Sequence, residues 1–318
     1  MSPTLPALPS LHGATRLHDW GVIRAVGAES LKFLHGQLTQ DFEHLAPGHA
    51  RLAGFCSAKG RLLATFVAWR RGDDEVVLAC SADVLPAVLK RLSMFVLRAK
   101  CKLSDATADV PLWGVAGPIE EIAGITPGAL VWDRVALGDG DAIRLPDAQM
   151  AGPAAGQTVQ RWLCTGSQPP VAPTLELSTW LGLEASSGVA RVTAATVEQF
   201  VPQMVNLELV GGVNFQKGCY PGQEIVARSQ YRSTLKRRAQ VMGSTTLLTA
   251  GQEVFHDADP GQPAGRVVLA GTLPGSGPLA LVELKLAALE GGALHAGAPD
   301  GPLLQLGALP YSMPTEPA

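Results

Sequence analysis

The chain has 318 residues, 47% of them hydrophobic and 17% charged, with a formal net charge of −3; this fills more than one core, predicts two or three domains, and excludes a disordered or fibrous chain. No apolar run reaches the ~20 residues that cross a bilayer, the longest being Leu62 to Trp69, so a cytoplasmic protein with no membrane partner is expected. The five cysteines, at 56, 80, 101, 164 and 219, form no C-x-x-C pair and are odd in number, which argues against a zinc or cluster ligand set and against a complete disulfide framework.

Met1 to Gly13, with prolines at 3, 6 and 9 and no basic run before an apolar core, reads as a loose arm rather than a secretory leader. Arg16 to Val26 is strand-like around Trp20, and Ser30 to Thr39, with Leu31, Leu34 and Leu38, is helical. His35, His44 and His49 lie near Asp41 without metal-ligand spacing, so they read as solvated or capping groups and no metal site is expected. Leu62 to Arg70 and Glu75 to Ala79 flank Arg71-Gly72-Asp73-Asp74 as a hairpin. Ala82 to Phe95 carries Val84, Leu85, Val88, Leu89 and Leu92 at helical spacing and is the clearest helix.

Ala99 to Leu103 and Leu112 to Ala116 read as strands, and Leu130 to Leu137 with Asp141 to Leu145 as a second hairpin around Gly138-Asp139-Gly140. Pro169, Pro170 and Pro173 mark a linker or crossing loop over Thr165 to Thr174, before a helix from Leu175 to Ala185 that carries Trp180. From Lys236 onward, glycines, prolines and short alternating runs predict a small β-barrel. Mixed, mostly antiparallel elements give an α+β fold rather than a doubly wound sheet.

Lys217-Gly218-Cys219-Tyr220-Pro221-Gly222-Gln223-Glu224 sets one thiol between two glycines at the entrance of a helix. Pro221 and Gly222 make the turn, and Gln223 to Tyr231 carries Ile225 and Val226 on one side. Free N–H groups at the helix start, together with Lys217, favour thiolate over thiol; the local chemistry suits either a reactive thiol or a small inert filler beside a turn. Between Lys217 and Arg238 six cations stand against Glu224 alone, a local excess of five in a chain of net −3. That pattern suits a small polyanion better than a long nucleic acid, which wants a broad basic face; the alternative is an ordinary solvated helix end.

The run from Asn214 through Arg228 resembles the signature of the YgfZ-type folate-binding proteins, K-G-C-Y-x-G-Q-E, with every fixed letter present. Phe33-Leu34-His35-Gly36-Gln37-Leu38-Thr39-Gln40-Asp41 is similar to that family's F-x-x-G-Q-x-T-x-D segment, Ser57-Ala58-Lys59-Gly60-Arg61 to its A-K-G-[KR] turn, and Leu309-Pro310-Tyr311-Ser312 to its tail. The resemblance implies the architecture of the glycine-cleavage T-protein. Two interleaved α+β subdomains fill residues 1–235, a C-terminal β-barrel fills 236–318, and a central channel between them holds the ligand. It further implies tetrahydrofolate or a derivative, bound non-covalently, with Trp20 and Trp180 contacting it. A flat pterin stacks well on indole, a pairing worth ~0.5–1.5 kcal/mol beyond burial; core packing is the other reading of both residues. Trp69, Trp113, Trp132 and Trp162 have no such match and read as core. Cys219 is the candidate functional thiol, Lys217 its electrostatic neighbour, and Arg228 a candidate anchor for a folate carboxylate.

Two departures from the relatives matter. Where the T-protein carries an acidic pair in G-G-x-x-D-D, this chain reads Gly60-Arg61-Leu62-Leu63-Ala64-Thr65, so the acid–base partner for aminomethyl transfer is missing and that activity is expected to be absent. After Trp180, relatives read E-A-G-x-P and this chain reads Ser186-Ser187-Gly188-Val189-Ala190. Glu184, two residues earlier, takes over the grip on the pterin's donor edge only if the local backbone shifts. The resemblance implies a factor that supports assembly or repair of [4Fe–4S] clusters in client iron–sulfur proteins, among them enzymes that thiomethylate tRNA, so effects on tRNA are indirect and no stable nucleic-acid binding is expected. The rivals are a one-carbon transferase that uses folate and Cys219, and a tRNA-binding module that uses the basic stretch.

Overall fold

The computed structural model describes residues 11–118, 128–152, 155–231 and 235–314; residues 1–10 of the expected arm lie outside them. The chain begins in one sheet, leaves it for a second, and returns. β1 (Gly13–Arg16) pairs antiparallel with β7 (Leu112–Ala116). Between them the chain builds a five-stranded sheet from β2 (Trp20–Val26), β3 (Ala50–Cys56), β4 (Leu62–Arg70), β5 (Glu75–Ser81) and β6 (Lys102–Asp105), in the order β3-β4-β5-β2-β6. Returning, it adds β8 (Arg134–Leu137), β9 (Gly140–Gln149) and β10 (Thr158–Thr165) to the other sheet, in the order β1-β7-β10-β9-β8. This is the interleaved α+β arrangement expected.

β4 shows how the two halves share their interior. All of its residues but Arg70 are buried, because both faces are covered. Phe66 and Ala68 face a core closed by α1 (Ser30–His35) and α2 (Leu85–Val96), whose Leu34, Leu85, Val88 and Leu92 are buried there; Val67 and Trp69 face the core shared with the other sheet and with α3 (Leu177–Ser186). Asp141 pins the two sheets together. Its buried carboxylate accepts from Trp69 Nε1 at 2.9 Å and Arg71 Nε at 3.0 Å on the β4–β5 side, and from Arg134 Nε at 2.8 Å. A buried charge is tolerable only when its lone pairs are used in this way.

α1 is shorter than the apolar spacing predicts. It stops at His35, and Leu38 and Thr39 are drawn away to β3, Leu38 bridging to Phe55 and Thr39 N–H donating to Gly54 O at 2.9 Å. The last strands close a six-stranded barrel from β11 (Arg237–Ser244) through β12 (Glu253–His256), β13 (Gly265–Leu273), β14 (Gly277–Lys285) and β15 (Leu294–Ala296) to β16 (Leu303–Leu306). Glycine docks it on the core. A Cβ on Gly271 of β13 would lie 2.1 Å from Gly182 N of α3, so helix and strand meet backbone to backbone. Tyr311 then closes the seam, its hydroxyl donating to Gly188 O at 2.8 Å and accepting from Asn206 Nδ2 at 3.2 Å.

Candidate functional site

Between the first sheet, the second sheet and α3 lies an inner cavity of about 30 Å³, lined by Trp20, Thr65, Trp132, Arg161, Glu184 and Arg191 among others. Three buried charged side chains, Arg161, Glu184 and Arg191, stand in an otherwise mostly apolar wall. Arg191 is clamped from two sides: Nε and Nη2 donate to the Glu184 carboxylate at 3.1 and 3.0 Å, Nη2 also to Asp19 Oδ2 at 2.6 Å, and Nη1 to Ser81 Oγ at 2.9 Å. Its guanidinium lies 4.8 Å from the centre of the Trp20 ring, a cation–π arrangement strengthened by desolvation. Burial pushes Glu184 toward protonation and Arg191 pulls back, leaving the carboxyl above its ordinary range, while the two carboxylates raise Arg191. Arg161 has no such partner at short range; burial brings its guanidinium down to about 10, and its Nε donates to Pro146 O at 3.1 Å.

Two indoles of this wall stand out. Trp20 Nε1 is buried with no hydrogen-bond partner among the described residues, an open position that a ligand acceptor or a water would fill. Trp132 holds a left-handed backbone at φ 71°, fixed because its N–H donates to Arg144 O in β9 and its carbonyl accepts from Ala50 N in β3, each at 2.7 Å. Strain of this kind persists where the surroundings over-determine it. Arg191 also lines a wider cleft of about 370 Å³, with Asp19, Asp83, Leu181, Thr193 and Leu269, so the Asp19–Arg191–Glu184 cluster is the partition between the inner cavity and that cleft. Trp132 is one of the four indoles that, lacking a match in the family pattern, read as core in the sequence, and the structure places it on the cavity wall.

Trp180 is not on the cavity wall. It is fully buried against Gly114 of β7, where a Cβ would lie 2.5 Å from the indole Cδ2, and the Arg161 guanidinium lies 5.5 Å from its ring centre. Its position one turn before Glu184 on α3 makes it a brace for the wall rather than part of the wall. Arg228 is also elsewhere: it is exposed on α4 (Gln223–Tyr231) and paired with Glu224 at 2.8 Å.

The thiol loop forms a second region. Cys219 is exposed and the other four cysteines are buried; burial pushes the Cys56 and Cys80 thiols up to about 12, so Cys219 is the thiol open to solvent. The segments that carry the family signature converge on its loop. Gly222 (φ +79°) and Gly60 (φ +69°) touch backbone to backbone, a Cβ at Gly222 falling 2.4 Å from Ser57 O and 2.7 Å from Gly60 N, so the 57–60 turn and the 217–224 loop fit only with glycine at both places. Asn214 Oδ1 accepts from Gln216 N and Lys217 N at 2.8 and 3.1 Å, turning the chain toward α1.

Lys217 then points inward. Its ammonium donates to His35 O and, at 2.9 Å, to Leu38 O, and lies 4.8 Å from the Tyr220 ring centre. Burial brings it down to about 8, with Asp41 and Cys219 pulling upward. On the same face His35 Nδ1 is hydrogen-bonded to Asp41 Oδ1 at 3.1 Å, and a Cβ at Gly218 would lie 3.4 Å from His35 Nε2. The helix start gives Cys219 less than its position suggested, because Gln223 N–H already donates to Tyr220 O, and the Ile225 and Val226 N–H groups to Gly222 O.

Cavity and thiol are connected by β3 and do not adjoin. Leu52 lines the cavity, and Cys56 at the far end of that strand packs in the core with Tyr220, a span of about 13 Å along an extended strand. The basic stretch does not form an open surface either. Lys217 is internal, Arg228 pairs with Glu224, Arg237 with Glu283 and Arg238 with buried Glu208; Lys236 is exposed, and Arg232 lies outside the described residues. Among the described residues, no group of three or more His, Cys, Asp or Glu side chains is placed to hold a metal ion, and no helix is long and apolar enough to cross a membrane.

No family model matches the chain. A tRNA-modifying protein YgfZ of Klebsiella pneumoniae is 29% identical over 308 residues, covering 93% of this chain and 92% of the relative. Another, of Photorhabdus laumondii, is 32% identical over 240 residues, covering 70% and 68%. Among solved structures, the glycine cleavage system aminomethyltransferase T of Bartonella henselae superposes with a TM-score of 0.62 over 95% of this chain and 87% of that one. At 16% identity that likeness establishes the fold alone.

Proposed function

This chain belongs to the YgfZ family, and from that premise we propose that it binds tetrahydrofolate or a derivative at the inner cavity and supports the [4Fe–4S] clusters of enzymes that modify tRNA. The observation that carries the reading is one wall bearing an indole with an unpartnered N–H, Trp20, together with a buried carboxylate, Glu184. These suit a pterin: Trp20 offers a flat face, and each Glu184 oxygen keeps a lone pair beyond its bond to Arg191 for the N–H groups of the ring edge. The cavity itself holds about two waters, so a bicyclic ring is admitted only when lining side chains move apart. A bound tetrahydrofolate would supply a carrier for one-carbon units.

The protein's own residues bind and orient rather than transfer. Thr65 lines the cavity where the T-protein segment has acid, and its hydroxyl accepts from Val192 N at 3.1 Å; it has no charge with which to move a proton to a folate nitrogen. Arg191, bonded to Glu184 and Asp19, holds the carboxylate in place at the wall. Cys219, on its separate loop, is the residue available to a client protein, with the Lys217 ammonium held behind it. The reading is tested by titrating the protein with tetrahydrofolate and following tryptophan fluorescence, in the parent and in Trp20→Phe. Saturable quenching in the parent and weakened binding in the variant are expected; equal affinity in both removes Trp20 from the site. Client cluster content in cells that carry Cys219→Ser, expected to fall, tests the second half.

A further inference from the structure

The positive surface that the 217–238 stretch fails to supply is found on α2. From Val84 to Ser104 the chain has no acidic residue, and Lys90, Arg91, Arg98, Lys100 and Lys102 are all exposed with no carboxylate within ion-pair distance among the described residues. Large apolar side chains stand among them: Met94 is 64%, Phe95 42% and Leu97 87% exposed. Along the same helix runs a groove of about 310 Å³, lined by Leu63, Val84, Ala87, Val88, Ala194 and Val197, with Arg91 on its wall and Asp83 at the helix start, where its carboxylate is taken up by Ala194 N–H at 2.9 Å. Residues three and four apart share a helix face, so Val84, Ala87, Val88, Arg91, Met94 and Phe95 make one stripe of about 16 Å. Leu97 adds a local cost. It ends the helix at φ 44°, ψ −103°, a conformation natural to glycine and strained for leucine, with its side chain in solvent.

We propose that this stripe is a docking surface for an acidic amphipathic segment of another protein. One of its apolar side chains fills the groove, Phe95 and Leu97 grip a second, and its carboxylates meet Arg91, Lys90 and Arg98. An apolar centre within a charged rim is the anatomy of a protein interface. RNA would use the cations and stack a base on Phe95, leaving Met94, Leu97 and the apolar groove without partners. A membrane would meet a concave groove with a flat surface. Charge complementarity therefore selects a protein segment rich in Asp and Glu. This inference is independent of the folate reading, since the stripe shares no residue with the inner cavity.

The probe is a labelled helical peptide of about 15 residues built from Glu, Ala and Leu, with leucines at i, i+4 and i+7, whose binding to the full chain is followed by fluorescence anisotropy. Phe95→Ser combined with Met94→Ser, and Arg91→Glu combined with Arg98→Glu, should each weaken it about tenfold or more, and a Lys-for-Glu version of the peptide should not bind. Leu97→Gly should raise the melting temperature while weakening the peptide, a pair of effects that a merely structural role would not give. No binding of the acidic peptide to the parent, unchanged affinity in both double variants, or tighter binding of oligouridylate or phosphatidylserine vesicles through the same residues overturns the proposal.

Discussion

The inner cavity and the thiol loop are opposite solutions to placing chemistry in a fold. At the cavity, charge is buried and locked by other charge: Arg191 is shared between Glu184 and Asp19 and covered by Trp20. At the loop, the sulfur is exposed and the locking is done by backbone, through the contact of Gly222 with Gly60 and the turn at Asn214. The first arrangement holds its charges fixed in the interior; the second presents its thiol outward. On the proposed reading, their separation along β3 means that a folate and a thiol-dependent client are served by different faces of the same core.

Mutations that break one region and spare the other test that division. The largest effect should come from Arg191→Leu, which strands the Glu184 and Asp19 carboxylates and should cost about 3–5 kcal/mol in urea unfolding; a loss below 1 kcal/mol would mean the cluster is not locked as described. Gly222→Ala, forced to hold a positive φ against Ser57 O, should cost about 1–3 kcal/mol and change the alkylation rate of Cys219 without altering folate affinity. Trp132→Phe should weaken tetrahydrofolate about fivefold while leaving Cys219 reactivity unchanged.

Lys217 gives the smallest and most specific test. Its folded value near 8 lies below the ordinary 10.5, so the folded state binds its proton less well than the unfolded one. The penalty is full below about pH 8 and is relieved as pH rises toward 10.5, so stability from this group climbs across that window. Lys217→Met should abolish the climb in unfolding measured at several pH values and slow Cys219 alkylation about threefold. A slope that survives in the variant assigns it to another group.

The barrel, α2, α3 and both hairpins were legible because their signals are local: helical spacing at Leu85, Val88 and Leu92, and glycine turns between short alternating runs. β3 and β10 were not, since Ala50–Cys56 is interrupted by Ala53 and Gly54, and Thr158–Thr165 sets Gln160 and buried Arg161 in the middle of its apolar run. α1 was overextended because Leu38 fits a helix by spacing and a strand bridge by tertiary contact. Trp132 was missed at the cavity because its place depends on a left-handed backbone pinned by two sheets, and nothing in neighbouring letters announces that. Glu184 reached the cavity because α3 turns it inward to Arg191, a pairing across seven residues that spacing alone did not single out.

The central claim is that the cavity at Trp20 and Glu184 holds the folate and that Trp180 only braces it. Calorimetric titration of tetrahydrofolate into the parent, Glu184→Gln and Trp180→Phe tests this most directly, with thermal melting to confirm that each is folded. The account predicts binding in the parent, a loss of about tenfold or more in Glu184→Gln, and nearly parental affinity in Trp180→Phe. No binding in the parent, or parental affinity in folded Glu184→Gln, would contradict it.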